Sequence, residues 1–353
     1  MKSMHKQRLD NLIAHLLSLG CQGLLVEHPV DLFYLTGLEL SAGKLLVTTE
    51  GARLVVDGRY YEACQHEAPC PVERLEEDTI QKWLVSTGIR QLAFDSKSTS
   101  YQRFVQLEAA VGKDAALMAV DEPLQPLRLI KDQGEIDLMH AAGKLCVAGF
   151  NYVASLLKEG AVEEDLALKL ELFWKQRGAK KLSFDPIIAF GANSSMPHYR
   201  AGKGILKTGM SVLIDIGVTV NHYQSDMTRV VFFGEPNPHI KEIYLIVEEA
   251  KRRALALCHP GTLVRDLDDA ARSYIAGQGY GDRFTHSLGH GVGLDIHEYP
   301  LIRTTGAASQ LALQAGMVIT IEPGIYLPGI GGVRLEDTVL INHEGYKLLT
   351  ATS

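Results

Sequence analysis

The chain of 353 residues is too long for one ordinary hydrophobic core, so we expect two domains. Its 46% hydrophobic and 22% charged residues are typical of a soluble globular protein, and no apolar stretch is long enough to span a membrane. A net charge of −7, without a run of Lys or Arg, argues against nucleic acid as a partner. The five cysteines form no Cys-x-x-Cys motif, which favours reduced thiols in a cytoplasmic protein.

The first third of the chain alternates between helical and strand-like patterns, which is typical of an α/β domain. Apolar residues at helical spacing predict an amphipathic helix over residues 6–19 rather than a signal peptide. Two strand-like runs at 44–49 and 53–58, separated by Glu50 and Gly51, predict a β-hairpin. The other elements predicted here are strands at 23–28 and 91–96 and helices near 58–67 and 79–87.

The Glu122-Pro123 step predicts a boundary between a domain of residues 1–123 and a domain of residues 124–353. In the second domain a long helix begins at about Gln133 and ends before Gly160. Three more helices are predicted, at about 163–177, 238–257 and 264–277, with strands between and after them. Two helices followed by strands therefore occur twice, which indicates an internal duplication.

Two aspartates lie on the strands of a second predicted hairpin. Asp215 is in SVLIDIGVTV and Asp226 is in YQSDMTRVVFF, with a polar turn near Asn221-His222 between them. Antiparallel pairing would bring the two side chains nearly opposite each other, about 5 Å apart at Cβ. Their carboxylates would repel unless a cation lies between them. The alternative is that one aspartate faces solvent or accepts backbone N–H bonds.

Three further candidate ligands follow along the chain. His290 is flanked by glycines that would let the backbone approach a ligand, and its surroundings are not the helical HExxH of zinc proteases. Glu322 ends an apolar strand, where an unpaired buried carboxylate would be costly. Glu336 is predicted to share a strand face with Arg334, so a simple ion pair is the alternative for these two.

Together these side chains predict a dinuclear metal site that hydrolyses amides. Four carboxylates and one imidazole suit a pair of divalent ions. Two such ions that share one water would produce a hydroxide able to attack an amide at neutral pH. The candidate ligands are Asp215, Asp226, His290, Glu322 and Glu336.

The sequence resembles the metallopeptidases with the pita-bread fold, which include methionine aminopeptidase, aminopeptidase P and prolidase. DIG…SDMTR, GHGVGLDIHE, IEPGIY and GGVRLEDT each match a family block, in family order. VDLFYLTG, VVDGRYY and LRLIKDQGEIDLM match the N-terminal domain of the Pro-specific branch, which methionine aminopeptidases usually lack. The resemblance implies a mixed α/β (α+β) chain. A creatinase-like α/β domain would precede a pita-bread domain with a pseudo-twofold antiparallel sheet and flanking helices.

The same resemblance implies a role for each candidate ligand. Asp215 would bind one metal ion through both oxygens, and Asp226 and Glu336 would bridge both ions. His290 and Glu322 would bind the second ion. The cofactor is then two divalent ions, with Mn first and Co, Zn or Fe as alternatives.

The resemblance also implies a catalytic set around these ligands. His198, in NSSMPHYR, and His297 match two histidines that would hydrogen-bond the scissile carbonyl or the tetrahedral intermediate. Glu322 would move the proton, and Arg334 is a cation able to hold a substrate carboxylate. For each histidine, an ordinary surface residue is the alternative.

The implied activity is hydrolysis of the bond between an N-terminal residue and a following proline. Prolidases often have an arginine four residues after the second histidine, where it can hold the carboxylate of a dipeptide. This chain has Leu301 there, which favours aminopeptidase P, although Arg303 or Arg334 could substitute. A Xaa-Pro dipeptidase is the alternative. A non-catalytic peptide- or protein-binding relative is a third, but such relatives have lost ligand positions that this chain keeps. The expected partners are peptides with proline second and another copy of the chain as a homodimer, with no nucleic acid or membrane.

Overall fold

The structure is a computed structural model that describes residues 2–113 and 115–351. It contains two compact units, one up to Arg128 and one from Leu129 onward. None of the described helices is long and apolar enough to cross a membrane.

The first unit is built on one six-stranded mixed sheet with the strand order β4-β3-β2-β1-β5-β6. Its strands are β1 (Gly23–Val26), β2 (Lys44–Thr48), β3 (Gly51–Val56), β4 (Val72–Arg74), β5 (Gln91–Asp95) and β6 (Ala116–Val120). Its helices are α1 (Lys2–Leu19), α2 (Pro29–Thr36), α3 (Tyr61–Glu67), α4 (Thr79–Thr87), α5 (Tyr101–Val111) and α6 (Gln125–Leu129). The strands β1, β2 and β3 pair antiparallel, and β4, β5 and β6 join them in parallel.

The predicted hairpin of β2 and β3 is present in this sheet, and five elements of the first unit were not predicted, namely α2, β4, α5, β6 and α6. The helix α2 is short, and β6 is an edge strand that is only partly buried, so neither has a clear hydrophobic period. The helix α5 did carry a local signal, because the Ser100 side chain caps it by accepting a bond from the Arg103 N–H at 3.2 Å.

The second unit repeats one arrangement, a pair of helices followed by antiparallel strands. Its helices are α7 (Gln133–Ser155), α8 (Glu163–Lys175), α9 (Pro238–Leu255) and α10 (Val264–Gly277). Its first strands are β7 (Lys181–Leu182), β8 (Ile187–Phe190), β9 (Met210–Ile216), β10 (Val218–Thr219) and β11 (Met227–Phe233). The later strands are β12 (Gly289–Gly291), β13 (Glu298–Ile302), β14 (Val318–Ile321), β15 (Gly324–Leu327), β16 (Gly331–Arg334), β17 (Asp337–Asn342) and β18 (Gly345–Leu348).

Each helix pair of this unit belongs to its own buried core. The pair α7 and α8 packs with β8 and β9 around the fully buried Trp174. The pair α9 and α10 packs with β14, β16 and β17. Helix α10 shows why the pattern predicted it, since Val264, Leu267, Ala271 and Ile275 recur at steps of three and four and are all buried. The predicted duplication is therefore present at the level of elements.

Local signals explain where two of these helices begin. Asp132 and Glu135 form a reciprocal capping box at the start of α7, with N–H to oxygen distances of 2.9 and 2.8 Å. At α9, the Asn237 side chain accepts from the His239 N–H at 2.9 Å, and Pro238 occupies the first turn.

The strands of the second unit form a three-stranded sheet β11-β9-β8 and a five-stranded sheet β13-β12-β14-β17-β18, with short pairs β15-β16 and β10-β7. The connection between β10 and β11 is tight because Val220 and Tyr223 exchange backbone hydrogen bonds of 2.9 and 3.0 Å. Asn221 and His222 between them have φ of 44° and 74°. Two consecutive left-handed residues are the geometry of a type I′ hairpin turn, which suits the twist of the strands.

Candidate metal centre

One cavity of about 490 Å³ in the second unit collects every site residue that the sequence predicted. Those residues are His198, Asp215, Asp226, His290, His297, Glu322, Arg334 and Glu336. They come from separate strands and loops of both halves of the unit, so the sheets bring them together although they are scattered in sequence.

The two aspartates reach the cavity from one face of the β9–β11 ladder. Thr228, and not Asp226, is the direct cross-strand partner of Asp215. Asp226 lies two residues before Thr228, so it is the diagonal neighbour of Asp215 on the same face. The expected opposition is therefore offset by two residues. The position of the turn sets this offset, because Val220 pairs with Tyr223 and the same register places Thr228 opposite Asp215. The Ser225 hydroxyl also bonds both backbone groups of Val218, at 3.0 and 2.9 Å.

His290 points one ring nitrogen at two carboxylates. Its Nε2 lies 3.6 Å from Asp226 Oδ2 and 3.5 Å from Glu322 Oε1. Its Nδ1 contacts the Gly291 carbonyl oxygen at 3.0 Å, which favours an Nδ1–H tautomer with the Nε2 lone pair directed at the carboxylates. The lone pair and the two carboxylates would repel one another unless a cation lies between them.

The glycines beside His290 serve strand packing, which differs from the role expected for them. A Cβ at Gly289 would collide with the backbone carbonyl of Thr320, and one at Gly291 with that of Tyr299. Both carbonyls belong to neighbouring strands of the sheet, so the glycines allow β12 to lie close to β13 and β14.

The carboxylates of the cavity repel one another inside a region shielded from water. Burial, followed by neighbouring carboxylates, raises the pKa of Asp226 and of Glu322 well above the usual range. The same causes raise the pKa of Glu336 to about 7. Burial lowers the pKa of His290 to about 4, so its imidazole is neutral at pH 7 as a metal ligand must be.

Divalent cations fit this donor set. Ligand atoms of Asp226, His290 and Glu336 lie within 4.8 Å of one another. Within the described residues, Asp215 Oδ1 is a buried oxygen that has no hydrogen-bond partner. A cation bound among these oxygens would offset their repulsion and satisfy that oxygen. Carboxylates with one imidazole suit Mn, Fe, Co or Zn.

Arg334 pairs with Asp215 and not with Glu336, so the simple ion pair considered for Arg334 and Glu336 is wrong. Its Nη2 donates to Asp215 Oδ2, and its Nη1 donates to the Tyr326 hydroxyl at 2.7 Å. Glu336 instead accepts from the Thr228 hydroxyl at 2.7 Å. Arg334 is 4% exposed, so its charge is committed to this buried network.

The two predicted catalytic histidines lie at different depths in the cavity. The His297 ring packs edge-on against that of His290, with centroids 4.4 Å apart and an interplanar angle of 75°. Burial lowers the pKa of His297. His198 is exposed on the loop that follows the 3-10 helix Gly191–Ser195. Both imidazoles can donate a hydrogen bond to an oxygen that gains negative charge.

Sequence reasoning missed several side chains that support the site. The Tyr326 hydroxyl bonds His286 Nε2 at 2.9 Å in addition to Arg334. The Thr320 hydroxyl accepts from the His290 backbone N–H at 3.0 Å. Thr228 had a usable signal, because it lies two residues after Asp226 and therefore on the same strand face. For Tyr326 the only signal was its place in IEPGIY.

The loop that carries His198 is held by one buried carboxylate, which was also missed. Glu163, with no exposed surface, accepts from the Phe190 N–H at 2.7 Å and the Asn193 amide at 2.9 Å through Oε1. Its Oε2 accepts from the Tyr199 hydroxyl at 2.7 Å and the Gly202 N–H at 3.3 Å. Four donors on both sides of His198 thus converge on a single side chain.

Family models match both parts of the chain. A model described as metallopeptidase family M24 matches residues 137–343, and one described as the creatinase/prolidase N-terminal domain matches residues 8–130. The chain belongs to metallopeptidase family M24. As a member of M24 it is a metal-dependent peptidase.

Among relatives of this M24 member, a Xaa-Pro dipeptidase from Pyrococcus horikoshii is 40% identical over 331 residues, which cover 93% of this chain and 92% of that protein. The structure of a Xaa-Pro dipeptidase from Bacillus anthracis is 33% identical, with a TM-score of 0.94 over 99% of this chain and 98% of that one. The structure of an X-Pro aminopeptidase from Thermotoga maritima is 31% identical, with a TM-score of 0.87 over 95% and 96% of the two chains.

These comparisons confirm the predicted family and fold. The M24 chain has a creatinase-like N-terminal domain followed by a pita-bread domain, as the motif blocks indicated. They do not support aminopeptidase P, the activity that Leu301 favoured in the sequence. The 40% identical relative and the structure at TM-score 0.94 both carry the dipeptidase name, which favours the alternative.

Proposed function

We propose that this chain is a Xaa-Pro dipeptidase that hydrolyses dipeptides with proline in the second position. The observation that carries the proposal is the convergence of four carboxylates and one imidazole on a single cavity that also holds two further histidines. The dipeptidase names of the relatives support the substrate class. A cavity of about 490 Å³ is of a size suited to a small ligand.

Two divalent ions would be held by Asp215, Asp226, His290, Glu322 and Glu336. When bound, they would supply a nucleophilic water at neutral pH and polarise the scissile carbonyl. The carboxylate-rich donor set supports Mn as the first candidate, with Co, Zn and Fe as alternatives.

Residues that line the cavity perform the rest of the chemistry in this proposal. Glu322 accepts a proton from the attacking water and returns it to the proline nitrogen as the C–N bond breaks. His198 and His297 donate hydrogen bonds to the carbonyl oxygen as it becomes negative. Arg334 orients Asp215 through their ion pair. Proline supplies no N–H, so the bond is a tertiary amide that needs a dedicated pocket.

A Xaa-Pro aminopeptidase is the second candidate. Leu301 lines the cavity at the position where prolidases often have an arginine for the dipeptide carboxylate, and the Thermotoga maritima structure carries the aminopeptidase name. A cytoplasmic location and a homodimer are carried forward as predictions from the resemblance.

A paired assay tests the proposal. The purified protein is treated with a chelator, dialysed, resupplied with Mn²⁺ and given Ala-Pro and Ala-Pro-Ala in parallel. We expect rapid cleavage of Ala-Pro, little of Ala-Pro-Ala, and no cleavage by the chelated protein or by Glu336→Ala. Cleavage of Ala-Pro-Ala alone would replace the dipeptidase with an aminopeptidase. Absence of turnover together with absence of bound metal would support a non-catalytic binder.

A further inference from the structure

A Xaa-Pro dipeptide ends in a carboxylate one residue beyond the bond that is cut. A site that accepts dipeptides and rejects longer peptides needs a group that recognises this negative charge near the scissile bond. Arginine suits that task because its planar guanidinium presents several N–H donors to a carboxylate. Of the described residues, Arg200 and Arg334 are the arginines that line the cavity, and no lysine lines it.

Two arginines considered from the sequence do not meet this need. Arg334 is buried and already donates to Asp215 and Tyr326. Arg303 is not among the residues that line the cavity, and its Nε donates to the Thr305 carbonyl at 3.0 Å. Leu301, at the position where prolidases often have an arginine, does line the cavity but has no charge.

Arg200 has the properties that the other two lack. Arg200 follows His198 by two residues, lines the same cavity and is exposed. Across residues 2–113 and 115–351 the structure gives its guanidinium neither an ion pair nor a hydrogen bond, so its donors remain available to a ligand in the cavity.

The backbone that carries Arg200 is fixed on both sides. The neighbouring Tyr199 donates its hydroxyl to Glu163 at 2.7 Å, and the Gly202 N–H donates to the same oxygen at 3.3 Å. Glu163 is fully buried in helix α8. A cation on a loop that is anchored in this way is positioned before the substrate arrives, which lowers the entropic cost of binding.

We propose that Arg200 binds the C-terminal carboxylate of the dipeptide and thereby sets the length preference of the enzyme. This inference rests on the proposed dipeptidase function. A third residue in the substrate would move the terminal carboxylate by about 3.3–3.6 Å and put an uncharged amide opposite Arg200. The amide forms weaker hydrogen bonds with a guanidinium than a carboxylate does.

The test compares variants on substrates with and without the terminal charge. Arg200→Met removes the cation, Arg200→Lys keeps the charge without the planar donor group, and Arg303→Met tests the competing arginine. Lys203→Met, at an exposed residue outside the cavity lining, is the matched control for loss of one positive charge. Each variant is assayed for kcat and KM on Ala-Pro and on Ala-Pro amide, and its metal content is measured. Binding of an uncleavable reduced-bond Ala-Pro analogue is measured by calorimetry.

For Arg200→Met we expect KM for Ala-Pro, and Kd for the analogue, to rise roughly 10- to 100-fold, the effect of a lost charged hydrogen bond. KM for Ala-Pro amide should change less than about threefold, since this substrate lacks the terminal charge. Arg200→Lys should give KM and Kd values between those of the wild type and those of Arg200→Met. Lys203→Met should match the wild type, and every variant should keep the metal content of the wild type.

The outcomes separate this inference from the function on which it rests. If the wild type cleaves Ala-Pro and Arg200→Met leaves its KM and the analogue Kd unchanged, the role of Arg200 is refuted and the dipeptidase stands. An equal loss on Ala-Pro and its amide, or a loss with Arg303→Met instead, also refutes it. If the wild type spares Ala-Pro and cleaves Ala-Pro-Ala, the proposed function fails and the role of Arg200 fails with it.

Discussion

Glu163 provides the sharpest test of how the cavity is held in shape. Its carboxylate accepts four hydrogen bonds at 2.7, 2.9, 2.7 and 3.3 Å. Glu163→Gln keeps the size of the side chain but replaces one acceptor oxygen with an NH₂ group. If the amide oxygen stays at the Oε1 position, the bonds from Phe190 and Asn193 persist.

The NH₂ group would then face the Gly202 N–H, which cannot reverse its polarity, and the Tyr199 hydroxyl, which can rotate to accept. One buried donor is thus left without an acceptor and the remaining bonds lose their charge. We expect the free energy of unfolding to fall by about 1–3 kcal/mol. Tyr199→Phe removes the bond to Glu163 and the bond that the Tyr199 hydroxyl accepts from the Asn193 amide at 3.0 Å, and should cost about 1–2 kcal/mol.

Urea unfolding of the metal-free protein measures this change. Trp174 lies in the same helix as Glu163 and is fully buried, so its fluorescence reports the second unit in a Trp83→Phe background. Glu164→Gln, at the exposed neighbouring residue, is the matched control and should change stability by less than about 0.5 kcal/mol. Equal stability of Glu163→Gln and Glu164→Gln would refute the reasoning. Because the same loop carries His198, Glu163→Gln should also raise KM for Ala-Pro.

Three further predictions concern the metal centre. Asp226→Ala should lose bound metal and activity together, as measured by elemental analysis and turnover of Ala-Pro, because its carboxylate lies among the clustered donors. The pKa values of Asp226 and Glu322 are raised as well, so metal affinity should rise with pH to at least about 7, the pKa of Glu336. Below that pH its carboxyl holds a proton that the metal must displace. Metal affinity should then change about tenfold per pH unit for each proton released. His290, with a pKa of about 4, is already neutral there and adds no further dependence. Tyr326→Phe removes the hydroxyl that accepts from Arg334 and should lower kcat/KM roughly tenfold while metal content is kept.

Each of these predictions has an outcome that contradicts it. Wild-type turnover by a metal-depleted Asp226→Ala sample would show that the clustered donors do not hold a required cation. Calorimetric titrations with Mn²⁺ that give one affinity from about pH 5.5 to 8 would show that no proton leaves Asp226, Glu322 or Glu336 on binding. Loss of metal from Tyr326→Phe would show that the hydroxyl supports the ligands and not only Arg334.

The sequence by itself predicted the side chains that the structure brings together in the cavity. Each motif block is a short segment in which residue type and local spacing already express the constraint: Asp226 beside a strand of β-formers, or Glu322 where an apolar run stops. Helices such as α10 were equally predictable from the sequence, since their apolar period depends only on neighbours a few positions away. Short or half-exposed elements such as α2 and β6 were not, because their stability comes from the sheet and helices that they contact.

The tertiary structure alone decided how those residues are paired. Arg334 bonds Asp215 although they are 119 positions apart in the sequence, and Glu163 and Tyr199 are 36 positions apart. No local spacing could therefore reveal either contact. Strand register made Asp226 the diagonal neighbour of Asp215, and the loop anchored by Glu163 places Arg200 in the cavity lining, while Arg303 lies outside that lining. Residue types state which donors and charges are available. Their partners follow from long-range packing, because it is the assembled sheets that set distances between segments far apart in sequence.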